Sequence, residues 1–176
     1  MKIEQPGAHL DHMLRQTRNH HVQLSSMADL KANILLTLSS VVITISFTYI
    51  SNPNLKWGAL ILIGFCFLTI ILSIYTVMPK IPVYSRSGKK PEVNSPSFNI
   101  LFFGDFFQLD YGHYENTMEE ILNDPSRVYQ SQVREIYNMG KFLAQKKYRF
   151  IRLAYLSFII GLFLSCLVTL ITGALN

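Results

Sequence analysis

Residues Ser25 to Ile50 read SSMADLKANILLTLSSVVITISFTYI, and this stretch decides the fold. Up to Lys31 it carries charge, and from Ala32 to Ile50 none of the nineteen residues is charged. Nineteen residues at about 1.5 Å each make roughly 28 Å of helix, close to the hydrocarbon thickness of a bilayer. One face is polar from end to end, because Asn33, Thr37, Ser40, Thr44 and Thr48 recur every three or four residues. Asp29 and Lys31 sit where such a helix would leave the lipid, and Asp29 heads the stripe.

Outward from this stretch, two more uncharged blocks stand out, Trp57 to Met78 and Leu153 to Leu175. Charged residues make up only 15% of the 176-residue chain, low for a soluble domain. The pattern predicts an all-α membrane protein with three transmembrane helices, two of them extended into a cytosolic helical layer. The expected order is a cytosolic N-terminal helix (1–31), a first span (32–50), a second span (57–78), a cytosolic basic linker and helical region (79–152) and a third span (153–175). The N-terminal segment is polar and lacks the apolar core of a signal peptide, so the first span is expected to insert as an uncleaved anchor.

Helical spacing runs through Leu10, Leu14, Thr17, His21, Leu24 and Ala28, so one helix is expected from about His9 to Ile50. Ser51-Asn52-Pro53-Asn54 is a turn and a helix stop. Residues Ile81 to Ser97 read as a solvated basic linker. Phe98 to Phe107 reads as a helical turn or two, lying on the membrane or plugging a cytosolic pocket, and Tyr111 to Leu122 as a short helix. Asp124-Pro125 is a helix start, with Asp as N-cap and Pro at the first position. From there Tyr129, Val133, Ile136, Gly140, Leu143 and Phe150 form a seam suited to packing on the N-terminal helix. A single helix is expected to continue into the third span, roughly 75 Å in all.

Basic residues set the orientation. Residues 1–31 hold four Lys/Arg, 51–56 hold one and 79–152 hold eleven. The positive-inside rule places the N-terminus and the middle region in the cytoplasm and the C-terminus outside.

Signatures of catalysis are missing: no phosphate loop, nucleophile elbow, kinase or zinc-protease motif, and no cysteine pair at metal spacing. His9, His12 and His20 share a rough helix face, but a metal site there would need a fourth ligand, and solvated helix histidines are the simpler reading. Cys66 and Cys166 lie in apolar blocks and read as small hydrophobes. The expectation is a non-enzyme without cofactor or metal, with no nucleic-acid partner.

Three features have two readings each. Asp29 and Lys31 anchor the helix at the headgroups, or Asp29, at the head of the stripe, contacts the middle region or lines the mouth of a pore. The stripe of Asn33, Thr37, Ser40, Thr44 and Thr48 either packs within a bundle or lines water after rearrangement. Lys146, Lys147, Arg149 and Arg152 either meet anionic lipid or, with Arg15, Arg18 and Lys31, hold an anionic ligand. A second stripe, Ala154, Ser157, Gly161, Ser165, Thr169 and Gly173, is small enough for close helix approach. Two such stripes in one protomer point to a homo-oligomer.

The run ADLKANILLTLSS (28–40), the block NILFFGDFFQL (99–109), Asp124-Pro125 and KKYRFIRLAYLSFIIGLFL (146–164) resemble, in the same order, the transmembrane effectors of Pycsar antiphage systems. The resemblance implies that a pyrimidine cyclase makes cyclic CMP or cyclic UMP on phage infection. The effector then responds, the bacterial inner membrane is compromised and the infected cell stops growing. No cyclic-nucleotide-binding β-barrel is visible, so any nucleotide site must be built from cytosolic helices and the Phe98–Tyr114 segment. A reading from another class is a constitutive small channel or membrane scaffold that binds a protein partner through its cytosolic helices.

Overall fold

The structure, a computed structural model, describes residues 3–79 and 98–174. The expected basic linker at 81–97 lies outside the described residues, as does the last residue of the expected third span. The elements are α1 (Ala8–Phe47), α2 (Lys56–Val77), α3 (Phe103–Phe106), α4 (Tyr111–Leu122), α5 (Pro125–Phe142), a π-helical segment (Leu143–Tyr148) and α6 (Arg149–Ala174). Strands are absent among the described residues. The chain divides into an apolar unit, Gln23–Met78 with Phe142–Asn176, and a polar unit, Met1–Val22 with Pro79–Lys141.

Three helical runs are long and apolar enough to cross a membrane: Ala8–Phe47, Lys56–Val77 and Pro125–Ala174. Less than a third of the most apolar window of each is buried inside the chain. Outward side chains such as Ile34, Ile71, Phe163 and Leu170 are more than half exposed, or nearly so. Water does not tolerate this much apolar surface, and lipid does.

In the apolar unit, α2 and α6 run antiparallel: Gly58 lies against Thr169, Phe65 against Gly161, and Tyr75 against Phe150. The contact is close because its residues are small. A Cβ on Gly161 would overlap the Cβ of Phe65, and one on Gly58 would overlap the Thr169 hydroxyl. Between helices in lipid the hydrophobic effect supplies little, so close van der Waals contact and hydrogen bonds carry the packing. Ser157 Oγ donates to Phe65 O at 3.3 Å, across the contact. From α1, Ala28, Ala32, Leu35, Ser39, Ile43 and Ser46 are buried. Ala32, Leu35 and Ile43 join Cys66, Ile151, Ala154 and Phe158 in one core cluster.

One expectation about helix length is corrected. The first helix ends at Phe47, not Ile50, and residues 48–55 form successive turns with i to i+3 bonds such as Tyr49 N to Ser46 O. Pro53 and the Asx turn of Asn52, whose Oδ1 accepts from Asn54 N, pull the chain out of helix early. The C-terminal run is one continuous helix over Pro125–Ala174, as expected, with Leu143–Tyr148 wound as π-helix within it.

The polar unit has its own small core of Phe98, Ile100 and Ile121, with Leu101, Phe106, Leu109, Tyr114, Met118 and Val128 around it. The aromatic segment therefore splits: Phe98 and Ile100 plug this core, while Phe103 and Phe107 stay exposed. Asp110 caps α4, its carboxylate accepting from His113 N at 3.0 Å. Asp124 caps α5 and accepts from Ser126 N at 2.9 Å. The α5 seam reaches the start of α1: the Tyr129 hydroxyl donates to Asp11 at 2.7 Å and accepts from Gly7 N at 3.3 Å.

Candidate functional site

The densest polar contact in the apolar unit lies in the π-helical segment. Lys147 is buried, 9% exposed, and its Nζ bonds both oxygens of Asp29 at 2.7 and 2.6 Å and Ser25 Oγ at 2.8 Å. Three donors meet three acceptors, so the ammonium is satisfied. Ser25 and Asp29 are four residues apart and share a face of α1. One residue on, the Tyr148 hydroxyl donates to Leu24 O at 3.2 Å. A π-turn inserts an extra residue into the helical register, and such turns gather at functional positions. Here it brings two adjacent side chains, Lys147 and Tyr148, to the same stretch of α1. Asp29 is thus a partner of Lys147.

The remaining sequence-predicted cations are all exposed. Lys31, Lys146 and Arg149 are exposed in the apolar unit. Arg15 and Arg18 belong to the polar unit, where Arg15 is exposed and Arg18 pairs with Glu135 at 3.2 Å. His9, His12 and His20 are exposed, and no group of three metal-binding side chains occurs among the described residues.

The two membrane stripes differ in burial. Ala154, Ser157, Gly161 and Ser165 are buried, Thr169 is half-buried, and Gly173 is exposed with nothing near its Cβ position. Asn33, Thr37, Ser40, Thr44 and Thr48 are all exposed. Thr37, Ser40, Thr44 and Thr48 donate to carbonyls three or four residues back in their own chain, at 2.7 to 3.1 Å. Asn33, Ser40 and Thr44 each follow a buried residue, Ala32, Ser39 and Ile43, by one position, so the stripe lies about 100° around α1 from the buried face.

In the polar unit, burial holds the Asp105 carboxyl above the usual carboxylate range, although its Oδ2 accepts from Asn99 N at 2.9 Å. The Tyr129 hydroxyl is raised too, first by donating to the Asp11 carboxylate and then by burial. His21 packs on Gly140, and its Nδ1 is buried without a hydrogen bond.

Sequence reasoning missed Ser25 as a ligand of Lys147, and missed a polar face on α5 made by Arg127, Gln130, Ser131 and Arg134. Its three-four spacing was readable. It was overlooked because the apolar seam of the same helix and the basic run after Lys146 drew the attention.

Comparison with known proteins agrees with this geometry. No curated protein and no solved structure matches the chain. A family model for the Pycsar effector protein domain matches residues 12–174, nearly the whole chain and every helix described above. The chain, with its three span-length helices and its small polar unit, therefore belongs to the Pycsar effector family, the membrane effectors of an antiphage defence.

Proposed function

We propose that this protein is a dormant inner-membrane effector triggered by a cyclic pyrimidine mononucleotide, cyclic CMP or cyclic UMP. A pyrimidine cyclase activated by phage would supply the signal. The observation that carries this reading is the family match over residues 12–174 joined to three span-length helices. The nucleotide acts in the cytoplasm, because eleven of the sixteen Lys/Arg lie in residues 79–152. The C-terminus then lies outside. The protein works as a homo-oligomer and acts by rearranging its spans, not by covalent catalysis.

Binding can shift the packing only if the nucleotide prefers one arrangement over the other, and moving a population from 1:99 to 99:1 needs about 5.5 kcal/mol. The Lys147–Asp29 contact and the glycine-lined α2–α6 contact are the packed elements such a shift would act on. The test uses the purified protein in vesicles of inner-membrane lipid loaded with a self-quenching dye. Dye release is expected on adding cyclic CMP or cyclic UMP, and not on adding cyclic AMP. Release without any nucleotide would favour a constitutive channel, and no release with either pyrimidine would refute the proposal.

A further inference from the structure

The polar unit carries a half-open cavity of about 250 Å³ lined by the Phe98–Ile100 segment, α4 and α5. Phe98, Ile100 and Ile121 give it apolar lining. Its walls are rich in donors. Arg127 and Arg134 both line it, seven residues apart on α5, with Gln130 and Ser131 between them. Asn99 adds a third side from the neighbouring segment. Its Oδ1 already accepts from Leu101 N at 3.1 Å, which leaves the amide NH2 to donate.

Neither arginine is locked in place. Arg134 makes one hydrogen bond, from Nη1 to Phe98 O at 3.2 Å, and among the described residues no carboxylate pairs with it. A guanidinium has five N–H donors, so most of its capacity is open. Arg127 pairs with Glu120 at 3.2 Å, but both side chains are more than 40% exposed, and an exposed pair of this kind is weak and readily exchanged.

We propose that this cavity, walled by Arg127, Gln130, Ser131, Arg134 and Asn99, is the binding site for a single phosphate-bearing mononucleotide. Two guanidiniums on one helix face suit a phosphate. The apolar lining suits a flat ring, and the Asn99 and Gln130 amides suit ring carbonyls. Size limits the ligand. The volume falls just under the roughly 300 Å³ where ligand clefts usually begin, the small end of the range, which suits a mononucleotide better than a dinucleotide. A larger open groove along α4, about 540 Å³, carries Glu115 and Glu119, the wrong charge for phosphate.

This site deepens the signalling reading above and rests on it for the cyclic pyrimidine. The test is calorimetric titration of full-length protein in detergent with cyclic CMP and cyclic UMP. The better ligand should lose at least tenfold in affinity in Arg134→Gln and in Gln130→Glu, and stay within twofold in Lys141→Gln, an exposed cation of the same unit outside the cavity lining. Gln130 is exposed and bonded to nothing that holds the fold, so Gln130→Glu reports on the cavity even where Arg134→Gln unsettles Phe98. Wild-type binding with an unchanged Gln130→Glu affinity would overturn the cavity and leave the signalling reading standing. Absence of wild-type binding to either nucleotide would overturn both.

Discussion

At 9% exposure Lys147 has little water around it, and Asp29 and Ser25 take all three of its ammonium hydrogen bonds. The two partners are not equivalent. The Asp29 side chain is 38% exposed and that of Lys147 only 11%, so water reaches the acid and not the base. Removing the acid strands a buried cation, whereas removing the base leaves a carboxylate that can hydrate. Losing one partner of a fully buried pair costs about 3–5 kcal/mol, and the partial exposure here brings Asp29→Ala nearer 2 kcal/mol. Lys147→Met, which keeps the stem, should cost about 1 kcal/mol or less. The double variant should melt close to Lys147→Met, because the stranded charge is gone. Thermal melts in detergent check the order. If Lys147→Met proves the more damaging, the pair does not stabilise the fold in the way argued.

Among the elements, α2 and α6 make the clearest demand on sequence. Gly161 and Gly58 have no room for a Cβ, whereas Gly64 in the same bundle has nothing within 4 Å of where its Cβ would stand. Gly161→Ala should therefore force the helices apart and cost about 1–3 kcal/mol, as overpacked cores do. Gly64→Ala should be neutral or gain up to about 1 kcal/mol from helix propensity. Melting temperatures of the two variants, compared side by side, decide this, and equal losses would mean that the contact is looser than described. Much of this element scale was legible in advance. Three uncharged blocks marked the spans, and the small residues from Ala154 to Ser165 marked the face that α6 presents. Asp124-Pro125 marked the start of α5. What stayed hidden has physical causes. Polarity alone singled out Asn33, Thr37 and Ser40 on α1, yet hydroxyls that bond their own carbonyls need no protein partner, and the helix buries Ala32, Leu35 and Ser39 instead. A π-turn has no sequence signature comparable to Pro or Gly, so the pairing of Lys147 with Asp29 could not be read from spacing. The cavity depends on Phe98 and Asn99 folding back onto α5, a long-range contact that local periodicity does not report.

For the molecule as a whole, the stripe on α1 is where the proposed membrane damage can be tested. With Thr37, Ser40 and Thr44 bonded back to their own helix, the face is quiet enough to meet lipid or another apolar surface. The same hydroxyls keep lone pairs for water, so the stripe can line an aqueous path once the spans repack. A nucleotide-triggered leak along this face makes a specific prediction. Single cysteines replacing Thr37, Ser40 or Thr44, in a chain with Cys66 and Cys166 changed to Ala, should react slowly with a charged thiol reagent in resting vesicles. Adding the nucleotide that releases dye should speed those reactions at least tenfold. Cysteines at Ile34, Leu38 and Ile45, which are also exposed but lie off the stripe, should stay slow. Equal acceleration at both sets would indicate general disruption of the bilayer. Leakage with all six unreactive would put the conducting path on another helix, and the stripe would be no more than a face that lipid tolerates.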